Sequence, residues 1–201
     1  MPKKVLIVFA HPRYEDSLIH KSLVAAIPQT ENLVFVDLYE LYPDFNIDIP
    51  TEKQRLSHAD FIVWQHPFYW YSCPPLLKQY LDMVLEFGWA YGSGGFALKD
   101  KYFIQAISTG GGQDAYDING RNKFTINEFL RPFEQTVKLC HGLWLPPFLV
   151  QGTHRLTEEQ RQKAAKEYNL LLKLMLQGYD FLGLLNSGYG NINDQLNQIN
   201  S

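Results

Sequence analysis

The chain has 201 residues, 46% of them apolar and 19% charged, which suits one domain with a packed core and excludes a chain disordered for want of hydrophobic residues. Its formal charge is −3, from 18 Lys and Arg against 21 Asp and Glu, so no basic excess points to nucleic acid or to an anionic lipid surface. Two cysteines, Cys73 and Cys140, are too few for a disulfide framework, and no apolar run reaches the ~18 residues of a membrane span.

Lys3-Lys4 leads straight into the apolar run Val5–Ala10, which reads as a buried strand and not as a signal peptide. The expectation is a cytoplasmic globular protein. Ser17 to Ile27 reads as a helix with Ser17 near its N-cap and Pro28 as its stop. Leu33–Leu38 is a second strand, Tyr39 to Pro50 a loop rich in Tyr, Pro and Asp, and Thr51 to His58 a short helix. Phe61–Gln65 is a third strand, ended by His66-Pro67. Pro74-Pro75 opens a helix running to Phe87, with Leu76, Leu77, Tyr80, Leu81, Val84 and Leu85 at helical spacing. Tyr102–Ile107 is a fourth strand, followed by Gly110-Gly111-Gly112. A helix over Thr125–Cys140, a fifth strand over Leu143–Val150 and a last helix from Thr157 to Gln177 complete the alternation. The last helix opens with Thr-Glu-Glu-Gln, which fits a capping box. After Gly178 the chain is rich in Gly and Asn and lacks periodicity, so a domain over 1–178 and a loosely ordered tail over 179–201 are expected.

Strict alternation of strand and helix predicts an α/β fold, an open five-stranded parallel sheet with helices on both faces. Five strands fit the doubly wound order 2-1-3-4-5, whose ligand sits at the carboxyl ends of the strands where the order reverses. Three loops should meet there. The first, His11 to Ser17, leads into a helix N-terminus whose free amides, dipole and Ser17 hydroxyl suit a phosphate. It has neither the dinucleotide glycine fingerprint nor a P-loop, which argues against tightly bound NAD and against an ATPase. The second, His66 to Ser72, carries Phe68-Tyr69-Trp70-Tyr71, four aromatic residues that cannot all face one core and offer flat walls to a ring system. The third, Ser108-Thr109-Gly110-Gly111-Gly112, lets backbone N–H groups approach the edge of a flat ligand. Together the three suit a flavin, with the amides favouring charge near N1 and O2 of its reduced ring.

The residues that carry this reading also carry a resemblance. Ala-His-Pro at 10–12, Leu-Tyr-Pro-Asp-Phe-Asn-Ile-Asp at 41–48, the run from Trp64 to Lys78, Gly-Trp-Ala-Tyr-Gly at 88–92, Ser-Thr-Gly-Gly-Gly at 108–112 and Trp-Leu-Pro-Pro-Phe at 144–148 resemble the flavodoxin-like NAD(P)H:quinone oxidoreductases. Within them the likeness is greatest to the bacterial ancillary proteins of glutathione-regulated potassium-efflux systems. It covers residues 4–175, and its most specific part is 64–92. The resemblance implies a flavodoxin-like fold and a homodimeric flavoprotein that takes hydride from NADH or NADPH and passes two electrons to a quinone or another small electrophile. It implies FMN, as in the short ancillary members, FAD being used elsewhere in the family. It also implies a membrane potassium-efflux transporter as partner, and with it a peripheral place at the inner membrane. Carried over by motif, His11, Ser17, Leu18, Ile19 and His20 would hold the phosphate end. Phe68, Tyr69, Trp70, Tyr71, Ser108, Thr109, Gly110 and Gly111 would hold the ring. Tyr116 matches a catalytic Tyr of the family, whereas the position of its catalytic His falls on Asn122, so a relay through an imidazole there is in question.

Other candidates read more plainly. His141 and His154 are isolated, with no second ligand at metal spacing, and no metal is expected. Cys73 reads as a small packing residue before Pro74, and the acidic loop around Asp44 and Asp48 as a solvated one. An alternative to the enzyme is a regulatory subunit of a transporter whose reductase activity is incidental.

Overall fold

Every residue of β1 (Val5–Phe9) and of β3 (Phe61–Pro67) is buried, because helices cover both faces of the sheet they belong to. The computed structural model describes residues 2–185 and 190–199. Its remaining strands are β2 (Leu33–Asp37), β4 (Tyr102–Ser108), β5 (Leu143–Trp144) and β6 (Phe148–Val150), and all pairings are parallel. The order is β2-β1-β3-β4-β5, with β6 also paired to β4, as the alternation of elements predicts. The fold is flavodoxin-like.

The two-residue period of the strands divides the core in two. Leu6, Val8, Ile62, Trp64, Phe103 and Ile107 face one layer of helices: α2 (Leu38–Leu41), α3 (Ile49–His58), α4 (Pro75–Val84), α5 (Ile126–Phe129) and α6 (Arg131–Leu139). Val5, Ile7, Phe61, Val63, Ile104 and Ala106 face α1 (Leu18–Ala25), α7 (Glu158–Gln177) and α8 (Asn193–Ile199). At the carboxyl ends the buried residues turn polar: Gln65, His66, Gln105 and Ser108. That change of character marks the functional end of the sheet.

Several boundaries differ from those the sequence predicts, each for a local reason. The third strand does not stop at His66-Pro67; His66 and Pro67 stay in register with Ile107 and Ser108. The fifth strand is two, because Pro146 and Pro147 lack the N–H a ladder needs. The helix expected over Thr125–Cys140 breaks at Leu130 and restarts with Pro132 in the first turn of α6, where a missing N–H is harmless. The loop Tyr39–Pro50 contains the end of α2, capped by Asp37, whose carboxylate accepts from the amides of Tyr39 at 3.0 Å and Glu40 at 3.4 Å.

Of the tail expected over 179–201, residues 186–189 and 200–201 lie outside the described residues, and the described ones include α8. Phe181, Leu184, Ile192 and Leu196 are buried in the core beside α7. Asn193 Oδ1 accepts from the Leu149 amide at 2.9 Å, and Ile192 donates its amide to Pro147 at 2.9 Å, so the tail caps the outer strand. Four apolar residues diluted among Gly and Asn leave no period to read. No helix among the described residues is long and apolar enough to cross a membrane.

Candidate functional site

Loops leaving the carboxyl ends of β1, β3, β4 and β6 enclose a cleft of about 590 Å³. At one corner stands the N-terminus of α1. Ser17 Oγ accepts from the His20 amide at 3.3 Å, while the amides of Leu18 and Ile19 donate to no group among the described residues. Free donors at the positive end of a helix, in the wall of a cleft, suit an anion. His11 adds an imidazole whose Nδ1 accepts from the Arg13 amide at 3.1 Å, leaving its proton on Nε2. Burial lowers the His11 pKa to about 4, so this donor is neutral. Arg13, paired with Asp16 at 2.6 Å, and Arg161, which donates to Leu156 O at 2.7 Å, also line the cleft.

The aromatic loop is a tight turn. Ser72 donates its amide to Tyr69 O at 2.9 Å, and the two residues between, Trp70 and Tyr71, have φ of 48° and 63°. Asn-Gly is the usual filling of such a turn, and non-glycine residues held this way store about 1–3 kcal/mol each. The turn splits the four aromatic residues. Phe68 and Tyr69 line the main cleft. Tyr71 stacks on Phe129 at 4.9 Å and donates its hydroxyl to Asn122 Oδ1 at 3.3 Å. Trp70 is 93% exposed. Trp70 and Tyr71, with Phe68, Tyr116, Arg121 and Asn122, enclose a side chamber of about 160 Å³.

The glycine loop is laced to the loop after β6. Thr109 donates its amide to Val150 at 2.9 Å, Gly152 donates to Gly111 at 2.8 Å, and Thr153 donates to Thr109 at 3.0 Å. Thr109 Oγ1 donates to Gly111 O at 2.7 Å, which fixes the turn from within. The amides of Gly110, Gly111 and Gly112 have no acceptor among the described residues. A Cβ on Gly110 would stand 2.9 Å from His154 Nε2, and one on Gly111 3.1 Å from the Tyr116 ring, so both positions require glycine for the ring neighbours to sit where they do. Burial raises the Tyr116 pKa, so its hydroxyl keeps its proton at neutral pH.

Beneath the cleft a chain of buried hydrogen bonds has a single direction. Tyr168 donates its hydroxyl to Gln65 Oε1 at 2.8 Å, and Gln65 Nε2 donates to His20 Nδ1 at 3.4 Å. His20 Nε2 therefore carries the proton and donates to Ser108 Oγ at 2.9 Å. The Ser108 hydroxyl is left free to donate into the cleft. On the other face of the sheet Gln105 Nε2 donates to His66 Nε2 at 3.1 Å, and His66 Nδ1 donates to Pro67 O at 2.9 Å. Burial lowers the His66 pKa to about 4 and holds His20 well below its ordinary value.

Of the residues expected at a cofactor, His11, Ser17, Leu18, Ile19, Phe68, Tyr69, Ser108 and Gly110 line one cleft. His20 lies behind Ser108 and Thr109 inside its own loop, both fully shielded from solvent. Trp70 and Tyr71 line the side chamber with Tyr116 and Asn122, not the main cleft, and Gly111 opens onto a third chamber. Sequence reasoning missed the fourth loop, which brings Thr153, His154 and Leu156 to the cleft, and Arg161 from α7. A strand at the fourth strand's side must deliver its own loop to the same edge, and that rule alone would have found them.

A family model described as a flavodoxin-like fold matches residues 3–172. A glutathione-regulated potassium-efflux system ancillary protein KefG from Serratia proteamaculans (strain 568) is 46% identical over 167 residues, 83% of this chain and 91% of that protein. Among solved structures, general stress protein 14 from Treponema denticola in complex with FMN matches with a TM-score of 0.82 at 39% identity, over 86% of this chain and 99% of that one. An NADPH-quinone reductase from P. pentosaceus matches with a TM-score of 0.77 at 30% identity, over 84% of this chain and 97% of that one.

Proposed function

The chain belongs to this flavodoxin-like family, and from that premise we propose that it is an FMN-dependent NAD(P)H:quinone oxidoreductase. One observation carries the reading: the amides of Leu18 and Ile19 and that of Gly110, none with an acceptor among the described residues, and an aromatic wall at Phe68 and Tyr69 surround a single cleft, with Gly111 on the chamber next to it. The donor set fits the cofactor at both ends. The α1 terminus and His11 Nε2–H would take its phosphate, and Gly110, Gly111 and Ser108 would donate to the ring edge. The FMN complex and the NADPH-quinone reductase among the solved relatives support the same choice.

When bound, FMN accepts a hydride from the nicotinamide and passes two electrons to a quinone, which takes up two protons and leaves as the hydroquinone. The chain supplies position, donors and protons. Phe68 and Tyr69, in the cleft wall, would shield one side of the ring from water. Tyr116, protonated at neutral pH, donates toward the substrate oxygen, and the Asn122 amide nitrogen is a second donor, since its oxygen is engaged by Tyr71. No imidazole lines that chamber among the described residues, and His11 in the cleft wall and His20 and His66 beneath it are neutral, so the donors that Tyr116 and Asn122 offer the substrate oxygen are a hydroxyl and an amide. Nicotinamide and quinone would both have to react beside Tyr116, so they would alternate there, and the expected order is ping-pong.

The test is spectroscopic. The purified protein, or the protein after addition of FMN, absorbs in the near-ultraviolet and blue with one FMN per chain and is bleached by NAD(P)H; a protein that takes up no FMN refutes the reading. Crossing rather than parallel double-reciprocal lines would remove the ping-pong order. The exposed Tyr69, Trp70 and Tyr71 next to the cleft support a homodimer with a site at each seam, which light scattering tests. The relatives named as potassium-efflux ancillary proteins favour a second role as a transporter subunit. Potassium efflux from cells carrying the transporter, with and without this chain, decides it.

A further inference from the structure

Two of the six arginines differ from the rest. Arg13, Arg55, Arg131 and Arg161 each pair with a carboxylate. Arg121 and Arg155 have no side-chain hydrogen bond or ion pair among the described residues, and both line one chamber of about 540 Å³ beside Gly110–Gly112. The chamber shares Gly110 and His154 with the cofactor cleft, and Arg121 with the side chamber that holds Tyr116 and Asn122. It does not touch the α1 terminus. A ligand whose reactive end sits at Tyr116 would run into it.

We propose that this chamber is the phosphate subsite for the dinucleotide donor, with Arg121 and Arg155 as its cationic walls; the proposal rests on the oxidoreductase reading above. A guanidinium is a rigid fork of donors that matches phosphate, and here two of them face a cavity with no anion of the protein bound to either. The Gly112 amide adds a free donor, and the glycine itself keeps the approach open: a Cβ there would stand 2.7 Å from Asp114 Oδ1 and 3.6 Å from Arg155 Nη2. Asp114 is the one carboxylate in the wall, so the arginines keep the chamber net positive. The backbone holds both arginines in place from different elements. Asn122 donates its amide to Ala115 O at 3.0 Å, closing the turn that presents Arg121, and Arg155 donates its amide to Gly152 O at 2.9 Å. Gly120, whose Cβ would collide with Asp114 O, permits the first turn.

Both NADH and NADPH carry a pyrophosphate two bonds beyond the nicotinamide ribose, and NADPH adds a 2′-phosphate. Phosphate recognition is the shared chemistry, and the two donors separate its sources. The experiment uses the FMN-loaded protein and its Arg121→Ala, Arg155→Ala and doubly substituted variants. KM is measured for NADPH and for NADH, Kd for NADP+ and NAD+ by calorimetry, and the FMN dissociation constant by fluorescence. The expected result is a rise of about tenfold or more in donor KM and in nucleotide Kd for the double variant, with unchanged FMN affinity and unchanged rate at saturating donor, and part of the loss restored by lysine at both positions. A loss confined to NADPH and NADP+ assigns the subsite to the 2′-phosphate; an equal loss for both pairs assigns it to the pyrophosphate. Donor KM and nucleotide Kd within twofold of the parent, or FMN affinity falling in parallel, overturn the proposal while the FMN-dependent reductase stands. A parent protein that binds FMN but is reduced by neither nucleotide overturns both.

Discussion

His20 Nε2 and Ser108 Oγ lie 2.9 Å apart across 88 residues of sequence, and the bond has a fixed sense because Gln65 occupies the other ring nitrogen. A residue that never meets the cleft thereby decides which way a cleft hydroxyl points. Ser108→Ala removes that donor and leaves His20 Nε2 without an acceptor in a fully buried place. A lost hydrogen bond of this kind is worth about 1 kcal/mol, so FMN affinity is expected to fall about fivefold, as read by fluorescence titration. Unchanged FMN affinity would show that the hydroxyl faces elsewhere.

Tyr168→Phe tests the far end of the same chain. It deletes the hydroxyl that satisfies Gln65 Oε1, 0% exposed, and leaves the cleft lining intact. The cost of an unsatisfied buried acceptor is about 1–3 kcal/mol, to be seen as a lower urea midpoint with an unaltered m-value.

Tyr116→Phe should slow reduction by NADPH more than it weakens FMN binding. Losing one oriented donor costs about 10²–10³-fold in oxyanion sites; a smaller loss is expected here because the amides of Gly110 and Gly111 remain. Stopped-flow traces at the parental rate would make Tyr116 a packing residue.

Trp70→Asn separates strain from use. Asn tolerates the left-handed conformation that Trp70 is held in at φ 48°, and the exposed indole makes no ring contact among the described residues. Thermal unfolding should be unchanged or later, by up to about 1 kcal/mol in stability, while activity or dimerisation falls. A variant that loses stability would show that the indole packs.

The three buried imidazoles set an acid limit. Unfolded, each protonates near its ordinary value of 6.5; folded, His11 and His66 wait until about 4 and His20 stays well below its ordinary value. Between those values the unfolded chain binds more protons, so stability is whole above pH 7 and falls as pH drops, by about 1.4 kcal/mol per pH unit for each imidazole. Urea midpoints equal at pH 7.5 and 5.0 would contradict this.

Strand order and the cleft at the reversal point were legible because strict alternation of strand and helix admits few topologies, and the side of each strand follows from a period of two. The residues of α1, the aromatic turn and the glycine loop were legible for the same reason: each follows a strand at its carboxyl end. What could not be read were events of tertiary origin. Pro146-Pro147 splits a strand that reads as continuous, the turn at Trp70 and Tyr71 sends its aromatic residues to different chambers, and Arg121 and Arg155 line one chamber from segments with no common pattern. His154, isolated in sequence, lies on Gly110 because the split strand carries its loop across the cleft.

Beyond the match to the family, which ends at residue 172, the chain still has work at the outer strand. Asn193 takes up the Leu149 amide, and Ile192 donates to Pro147, so the strand ladder ends on a side chain and a turn and not on open backbone. A strand edge with free N–H and C=O groups recruits strands from other molecules. Removing residues after 178 would leave the lining of the cleft and bare this edge together with the apolar floor under Phe181, Ile192 and Leu196. Such a chain would fail by self-association and precipitation while each copy kept its cleft, and the role of the last helix is that of an edge guard.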